Sequence, residues 1–178
     1  MKAIYKRELG AYFHSMIGSV CVAFMLAAVG LYFMVYNMFQ GAPGFATALS
    51  SAIFLFIIVI PLLTMRSVAE DRKNKTDQLL LTAPVSVTSV VLGKFFAMVT
   101  VFAVPCVLYC FCPLIMKLAS GSEGIVYFKS DYATILAFLL LGCLYISIGL
   151  LISALTESQI IAAVATAGVL VLLYLWDG

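Results

Sequence analysis

The stretch MRSVAEDRKNKTDQLLLTAPVSVTSVVLGK, residues 65–94, decides the architecture of this chain. It contains eight of the eighteen Asp, Glu, Lys and Arg residues, and the sequence on both sides of it is almost wholly apolar. A chain that gathers its charge between apolar segments is predicted to use that stretch to meet something in water. The eight charged residues are Arg66, Glu70, Asp71, Arg72, Lys73, Lys75, Asp77 and Lys94.

The composition points to a protein that lies in a lipid bilayer. Of its 178 residues, 65% are hydrophobic and 10% are charged, and the mean hydropathy is +1.17. Soluble domains carry about 25% charged residues, and a chain of this size has too little interior to bury so much apolar surface. We therefore predict an all-α integral membrane protein, a polytopic helical bundle. The net charge of +2 is too small to indicate nucleic-acid binding.

The apolar segments divide the chain into one transmembrane domain, residues 1–178, with five spans. An interfacial helix is predicted over 1–14, and the charged loop is placed at 66–89. Pro105 and Pro113 are expected to interrupt the third span, and Lys117 to Asp131 is predicted to be a polar loop. The five spans are predicted at 15–39, 49–65, 90–116, 133–155 and 160–176.

The first fourteen residues have the pattern of an amphipathic helix that lies in the headgroup region, with its cations toward anionic lipid. Glu8 does not fit, because it falls inside the apolar half of the helical wheel. Two interpretations stay open: Glu8 snorkels or pairs with a nearby cation, or it faces a protein partner. The apolar half is formed by Met1, Ile4, Tyr5, Leu9, Tyr12, Phe13 and Met16.

The distribution of Lys and Arg predicts the orientation. If the N-terminus is inside, eight of these cations lie on the inner side, and only Lys117 and Lys129 lie outside. This excess follows the positive-inside rule. The charged loop is therefore predicted to be cytoplasmic, and the visible C-terminus is predicted to lie outside the cell membrane.

The sequence lacks the motifs of common catalytic chemistry. It has no GxxxxGK[ST] phosphate loop, no serine elbow and no HExxH pair, so we expect no catalytic, cofactor or metal site. The five cysteines read as small buried hydrophobic residues. No ionisable residue is placed well inside a predicted span, which argues against ion-coupled transport by this chain alone.

Small residues four apart in the fifth span permit close helix approach. This spacing is common in ordinary intramembrane packing, and a subunit interface is the second interpretation. The candidates are Ala162, Ala163, Thr166 and Ala167.

Three segments resemble the permease subunits of type-2 ATP-binding-cassette (ABC) exporters, closest to the gliding-motility and nitrous-oxide-reductase-maturation type. They are AEDRKNKTDQLLLTAPV with the following VLGKFFA, the opening KAIYKRELGAYFHS, and the turn SALTESQ at 153–159. The chain departs from the family pattern at Lys75, where glycine is common, and it shows five spans where the family has six. A truncated or partial chain that lacks the sixth span is therefore expected.

The resemblance implies a coupling helix at about Val68 to Leu81 that docks on a separate cytoplasmic ATPase subunit. It also implies a second permease subunit, as a homo- or heterodimer, and a prokaryotic cell membrane with its lipid as surroundings. ATP and magnesium would be bound by the partner, and no cofactor by this chain. The implied ATPase contacts are Glu8, Val68, Glu70, Asp71, Arg72, Asp77, Leu79 and Leu80.

Two other functions remain possible from the sequence. One is a scaffold or assembly subunit that does not transport and recruits a cytoplasmic protein through the same loop. The other is a membrane-embedded lipid enzyme, which would have to use Glu70, Asp71 and Asp77 among lysines and without a metal-binding spacing.

Overall fold

The computed structural model describes residues 2–14, 16–42, 44–65, 87–120, 127–156 and 158–177. Within these ranges the regular structure is entirely helical, which confirms the predicted fold class. The eight α-helices are α1 (Lys2–His14), α2 (Met16–Phe33), α3 (Phe45–Ser51), α4 (Phe56–Thr64), α5 (Val87–Tyr109), α6 (Cys112–Ser120), α7 (Phe128–Leu155) and α8 (Gln159–Asp177).

Two short non-α segments complete the spans. Helix α2 continues as a π-helix over Met34–Phe39, and a 3₁₀ turn at Ala52–Leu55 joins α3 to α4. Five helical segments of the described chain are long and apolar enough to cross a membrane: Gly18–Phe39, Phe45–Thr64, Thr88–Leu118, Phe128–Leu155 and Gln159–Trp176. Their number agrees with the sequence prediction, and several of their ends do not.

The third and fourth spans each differ from the prediction in one feature. Helix α5 runs through Pro105 without a break. The interruption lies at Cys110 and Phe111, directly before α6, where Pro113 stands in the first turn. Proline is tolerated there because the first helical N–H groups have no partner within the helix. The fourth span begins at Phe128, so Asp131, which the sequence placed in a polar loop, is a buried residue of the first turn of α7.

The described helices pack into a bundle in which α7 contacts both α4 and α5. Helix α7 packs against α3, α4, α5 and α8, and α1 lies against α5 and α2. An aromatic cluster fills the centre, where the ring of Phe56 lies 4.5 Å from that of Phe138 and 5.5 Å from that of Phe102, centroid to centroid. Such tilted pairs add to the free energy of apolar burial.

Helix α8 buries its small-residue face inside the chain. Ala162, Thr166 and Leu170 are at most 1% exposed, and α8 packs on α4 and α7. Of the residues predicted for a subunit interface, Ala162 and Thr166 therefore pack within one chain, whereas Ala163 and Ala167 are half-buried. The opposite face of α8 is apolar and exposed, as lipid or another subunit would allow.

Candidate functional site

Helix α1 contacts both helices that border residues 66–86, the charged part of the chain. The hydroxyl of Tyr12 donates a hydrogen bond to the carbonyl of Leu63, near the end of α4, at 3.1 Å. On the other side, α1 packs along α5, which begins at Val87. We call this group the clamp: Ile4, Tyr5, Glu8 and Tyr12 of α1, Leu63 of α4, and Gly93, Lys94 and Thr100 of α5.

An ion pair between Glu8 and Lys94 lies at the centre of the clamp. The carboxylate of Glu8 is 3.3 Å from the ammonium of Lys94 and 2.7 Å from the guanidinium of its neighbour Arg7. The side chains of Lys94 and Glu8 are only 5% and 11% exposed. Charges removed from water need such pairing, because an isolated buried charge is strongly destabilising.

Close helix contact surrounds this ion pair. The hydroxyls of Tyr5 and Thr100 are hydrogen-bonded at 2.9 Å. A Cβ built on Gly93 would lie 3.0 Å from Cγ2 of Ile4, so the absence of a side chain there lets α1 approach α5. The clamp is therefore a packed helix contact with a polar centre, and it leaves Lys6, Arg7 and His14 on the exposed side of α1.

A tight corner between α1 and α2 fixes the direction of α1. A Cβ on Gly18 would overlap the backbone carbonyl of Tyr12, which only glycine avoids. Tyr12, which Gly18 contacts, also donates the hydrogen bond to Leu63. A change in the corner between α1 and α2 would therefore displace this hydrogen bond as well.

Exposure divides the predicted apolar half of α1. Glu8 and Tyr12 are buried against the chain, whereas Phe13 and Met16 are 46% and 86% exposed, as contact with lipid would allow. The buried face thus centres on the acidic residue that did not fit the pattern. Of the two interpretations of Glu8, pairing with a cation is what the structure shows: Glu8 pairs with its neighbour Arg7 and with Lys94, which is 86 positions away in sequence.

The other predicted ATPase contacts lie outside the described residues. They are Val68, Glu70, Asp71, Arg72, Asp77, Leu79 and Leu80. Neither Lys94 nor Tyr12 was predicted from the sequence as a site residue. A signal for Lys94 was present, since it is a lone cation within an apolar run.

Removing the hydroxyl of Tyr12 measures how much its hydrogen bond to Leu63 contributes to stability. We expect Tyr12→Phe to lower the free energy of unfolding in detergent by about 1–2 kcal/mol, because the buried carbonyl of Leu63 loses its side-chain donor. The matched control is Tyr174→Phe, which removes the hydroxyl of a tyrosine that is 43% exposed. Equal stability of the two variants in denaturant unfolding would contradict the hydrogen bond.

The described residues hold no group of three or more His, Cys, Asp or Glu side chains that could bind a metal. The five cysteines, all within these ranges, are free. The arrangement at the clamp offers charge pairing and mechanical contact between helices.

The described helices define a multi-pass helical membrane protein in which α1 is hydrogen-bonded to the end of α4 and packed on α5. Residues 29–175 match the family model described as ABC-2 family transporter protein. Because the match spans most of the chain, the protein belongs to this family, and it is a permease component of an ABC transporter rather than an enzyme. Permeases of this family generally pair with an ATPase subunit. The searches among curated proteins and among solved structures gave no match.

Proposed function

We propose that this chain forms the translocation path of an ATP-driven exporter and that a separate cytoplasmic ATPase docks on residues 66–86. The observation that carries the proposal is the clamp: α1 contacts the end of α4 through Tyr12 and the start of α5 through Glu8. Any movement imposed on the segment between these helices is transferred to both of them and to α1 together.

The composition of the segment supports a docking role. Residues 66–86 carry both charge signs and a run of three leucines at 79–81, which is the mixture that a transient protein interface uses. On this proposal Val68, Leu79 and Leu80 supply apolar contact, and Glu70, Asp71, Arg72 and Asp77 supply charge complementarity, which gives specificity and a fast association rate.

Glu8 has a different part in this proposal from the one that the resemblance implied. Its carboxylate is buried against Lys94 within the chain. Glu8 therefore acts through α5, as a positioning residue that keeps the start of this helix attached to α1. Lys6, Arg7 and His14 lie on the exposed side of α1, where they could meet a partner or lipid headgroups.

The assembly that follows contains two permeases and two ATPase subunits, with ATP and magnesium bound by the latter. The half-buried Ala163 and Ala167 are candidates for the contact between the permeases. The excess of cations near α1 and residues 66–86 supports a cytoplasmic location of that end, in a prokaryotic cell membrane. On the motifs of the sequence, we propose the gliding-motility or nitrous-oxide-reductase-maturation type as its subtype.

The proposal is tested by purifying the tagged full chain from native membranes in mild detergent. We expect an ATPase with Walker motifs to co-purify, and its hydrolysis rate to change when the permease is present. The triple variant Glu70→Ala, Asp71→Ala, Arg72→Ala is expected to reduce ATPase recovery at least tenfold. Truncation of one hot-spot residue costs about 2 kcal/mol or more, and about 1.4 kcal/mol already changes an affinity tenfold.

The control is the pair Lys117→Ala and Lys129→Ala, which removes charge at the opposite end of the bundle and should leave ATPase recovery unchanged. If the triple variant retained both assembly and stimulated hydrolysis, the docking proposal would be wrong. Recovery of a protein without Walker motifs, lost in the triple variant, would instead support the scaffold function.

A further inference from the structure

A second polar cluster lies at the end of the bundle opposite the clamp. It joins the π-helical end of the first span, the turn before α3 and the first turn of α7. Asp131 of α7 is fully buried, and Asn37 of the π-helix is 8% exposed. These two side chains are the only ones in the described ranges with a buried oxygen or nitrogen that lacks a hydrogen-bond partner.

Asp131 is a buried carboxylate without a cationic partner in the described part of the chain. Its Oδ1 accepts a hydrogen bond from the backbone N–H of Ala46 at 3.2 Å, and the backbone N–H of Phe45 also faces the carboxyl group. Its Oδ2 is buried without a hydrogen-bond partner. The ion pairs among the described residues all involve Glu8, at the other end of the bundle. A buried carboxyl group has to be neutral or lie beside a positive charge, because desolvation of an uncompensated charge is strongly destabilising.

Asn37 presents a second unpartnered oxygen next to the same turn. Its Nδ2 donates to the carbonyls of Ala42 and Gly44, at 3.0 and 2.8 Å, and its Oδ1 is buried without a partner. A Cβ built on Gly44 would lie 3.3 Å from Oδ1 of Asp131, and the carbonyl of Gly44 accepts a hydrogen bond from Asn37, so the two side chains flank the same residue from two elements. The π-helix that carries Asn37 has an altered register, and such segments occur frequently at functional sites.

We propose that Asp131 Oδ2 and Asn37 Oδ1 bind a monovalent metal cation. Both atoms are hard oxygen acceptors, which excludes an anion. One carboxylate balances one positive charge, whereas a divalent ion would leave a net positive charge buried in the bundle. Oxygen dipoles of the protein replace the hydration shell of such ions in other membrane proteins, often where a helix is broken or unwound.

The site would fasten three elements together. A cation held by Asn37 and Asp131 connects the end of the first span to the start of the fourth, across the turn that leads into α3. Its loss would loosen the outer turn while the clamp at the other end stays intact. This assignment does not depend on the proposed ATPase docking.

The test is thermal unfolding of the purified full chain in detergent at constant ionic strength. The chlorides of sodium, potassium and lithium are compared with N-methyl-D-glucamine chloride, and calcium and magnesium chloride are tested separately. We expect one or more of the monovalent metal cations to raise the midpoint by about 3 °C or more, because a ligand that binds only the folded state stabilises it. The organic cation, too large for the site, should have no such effect.

Two variants locate the effect. Asp131→Asn keeps the shape of the side chain and should abolish the cation-dependent shift, whatever its own midpoint. The matched control is Thr47→Val, which removes another hydrogen bond to the carbonyl of Gly44 and should keep the shift. A wild-type midpoint that is equal in all the chlorides would overturn the proposal without any variant, and so would a shift that requires a divalent ion or persists in Asp131→Asn.

Discussion

Lys94→Met is expected to lower the free energy of unfolding by about 3 kcal/mol, because it leaves the buried carboxylate of Glu8 without its main buried partner. Methionine keeps most of the apolar stem of lysine, so the change removes the charge more than the packing. Arg7 still reaches Glu8, but its side chain is 54% exposed and its charge is screened by water. We therefore place the loss at the lower end of the range for a broken buried ion pair.

The control is Lys6→Met, which removes an exposed cation from the same helix and should change stability by less than about 0.5 kcal/mol. The double variant Glu8→Met, Lys94→Met should recover much of the loss, since an apolar pair of similar volume often replaces a buried ion pair without destabilisation. The measurement is denaturant unfolding in detergent. If Lys94→Met and Lys6→Met were equally stable, the ion pair would not hold α1 on α5.

Gly18→Ala is the second large expected effect. The added methyl group would overlap the backbone carbonyl of Tyr12, and a backbone atom cannot move aside without displacing the end of α1. We expect a loss of about 2 kcal/mol or more in the free energy of unfolding, as overpacking commonly produces. If an ATPase stimulated by this chain is recovered, its stimulation should fall as well, since the hydroxyl of Tyr12 leaves Leu63 when α1 moves.

The matched control lies in the same helix. Gly30 has no atom within 4 Å of a built Cβ, so Gly30→Ala should be neutral or stabilising by up to about 1 kcal/mol through helix propensity. The comparison separates the overlap at Tyr12 from any general effect of alanine in α2. Equal effects at the two positions would mean that the corner between α1 and α2 is not as close as described.

The five spans could be predicted from the sequence because apolar composition and length are local properties of each segment. The position of Asp131 could not. It follows a stretch with glycine and charge, which is typical of a loop. Its burial depends on α3, because its carboxyl group accepts a hydrogen bond from a backbone N–H of this helix 85 positions away in sequence. The local sequence pattern therefore predicted that Asp131 is exposed to solvent, whereas contacts with distant parts of the chain bury its carboxyl group.

The sequence indicated one residue of the ion pair in the clamp but not its partner. Glu8 was recognisable as a residue that did not fit its helix face, but nothing local connected it with Lys94. Likewise, the spacing of Ala162 and Thr166 correctly indicated a close-packed face of α8, and it could not say whether the neighbour belonged to the same chain or to another. Periodicity identifies a face of a helix, whereas the identity of what covers it is decided by the fold.

The most direct test of the central claim, that residues 66–86 receive the ATPase, is site-specific photo-cross-linking in native membranes. A photoreactive phenylalanine analogue is introduced in place of Asp77, and in a second chain in place of Tyr127, which is 55% exposed at the opposite end of the bundle. Cross-linked products are identified by mass spectrometry. We predict a product with a Walker-motif ATPase from position 77 and none from position 127; no such product from 77, or equal yields from both positions, would contradict the account.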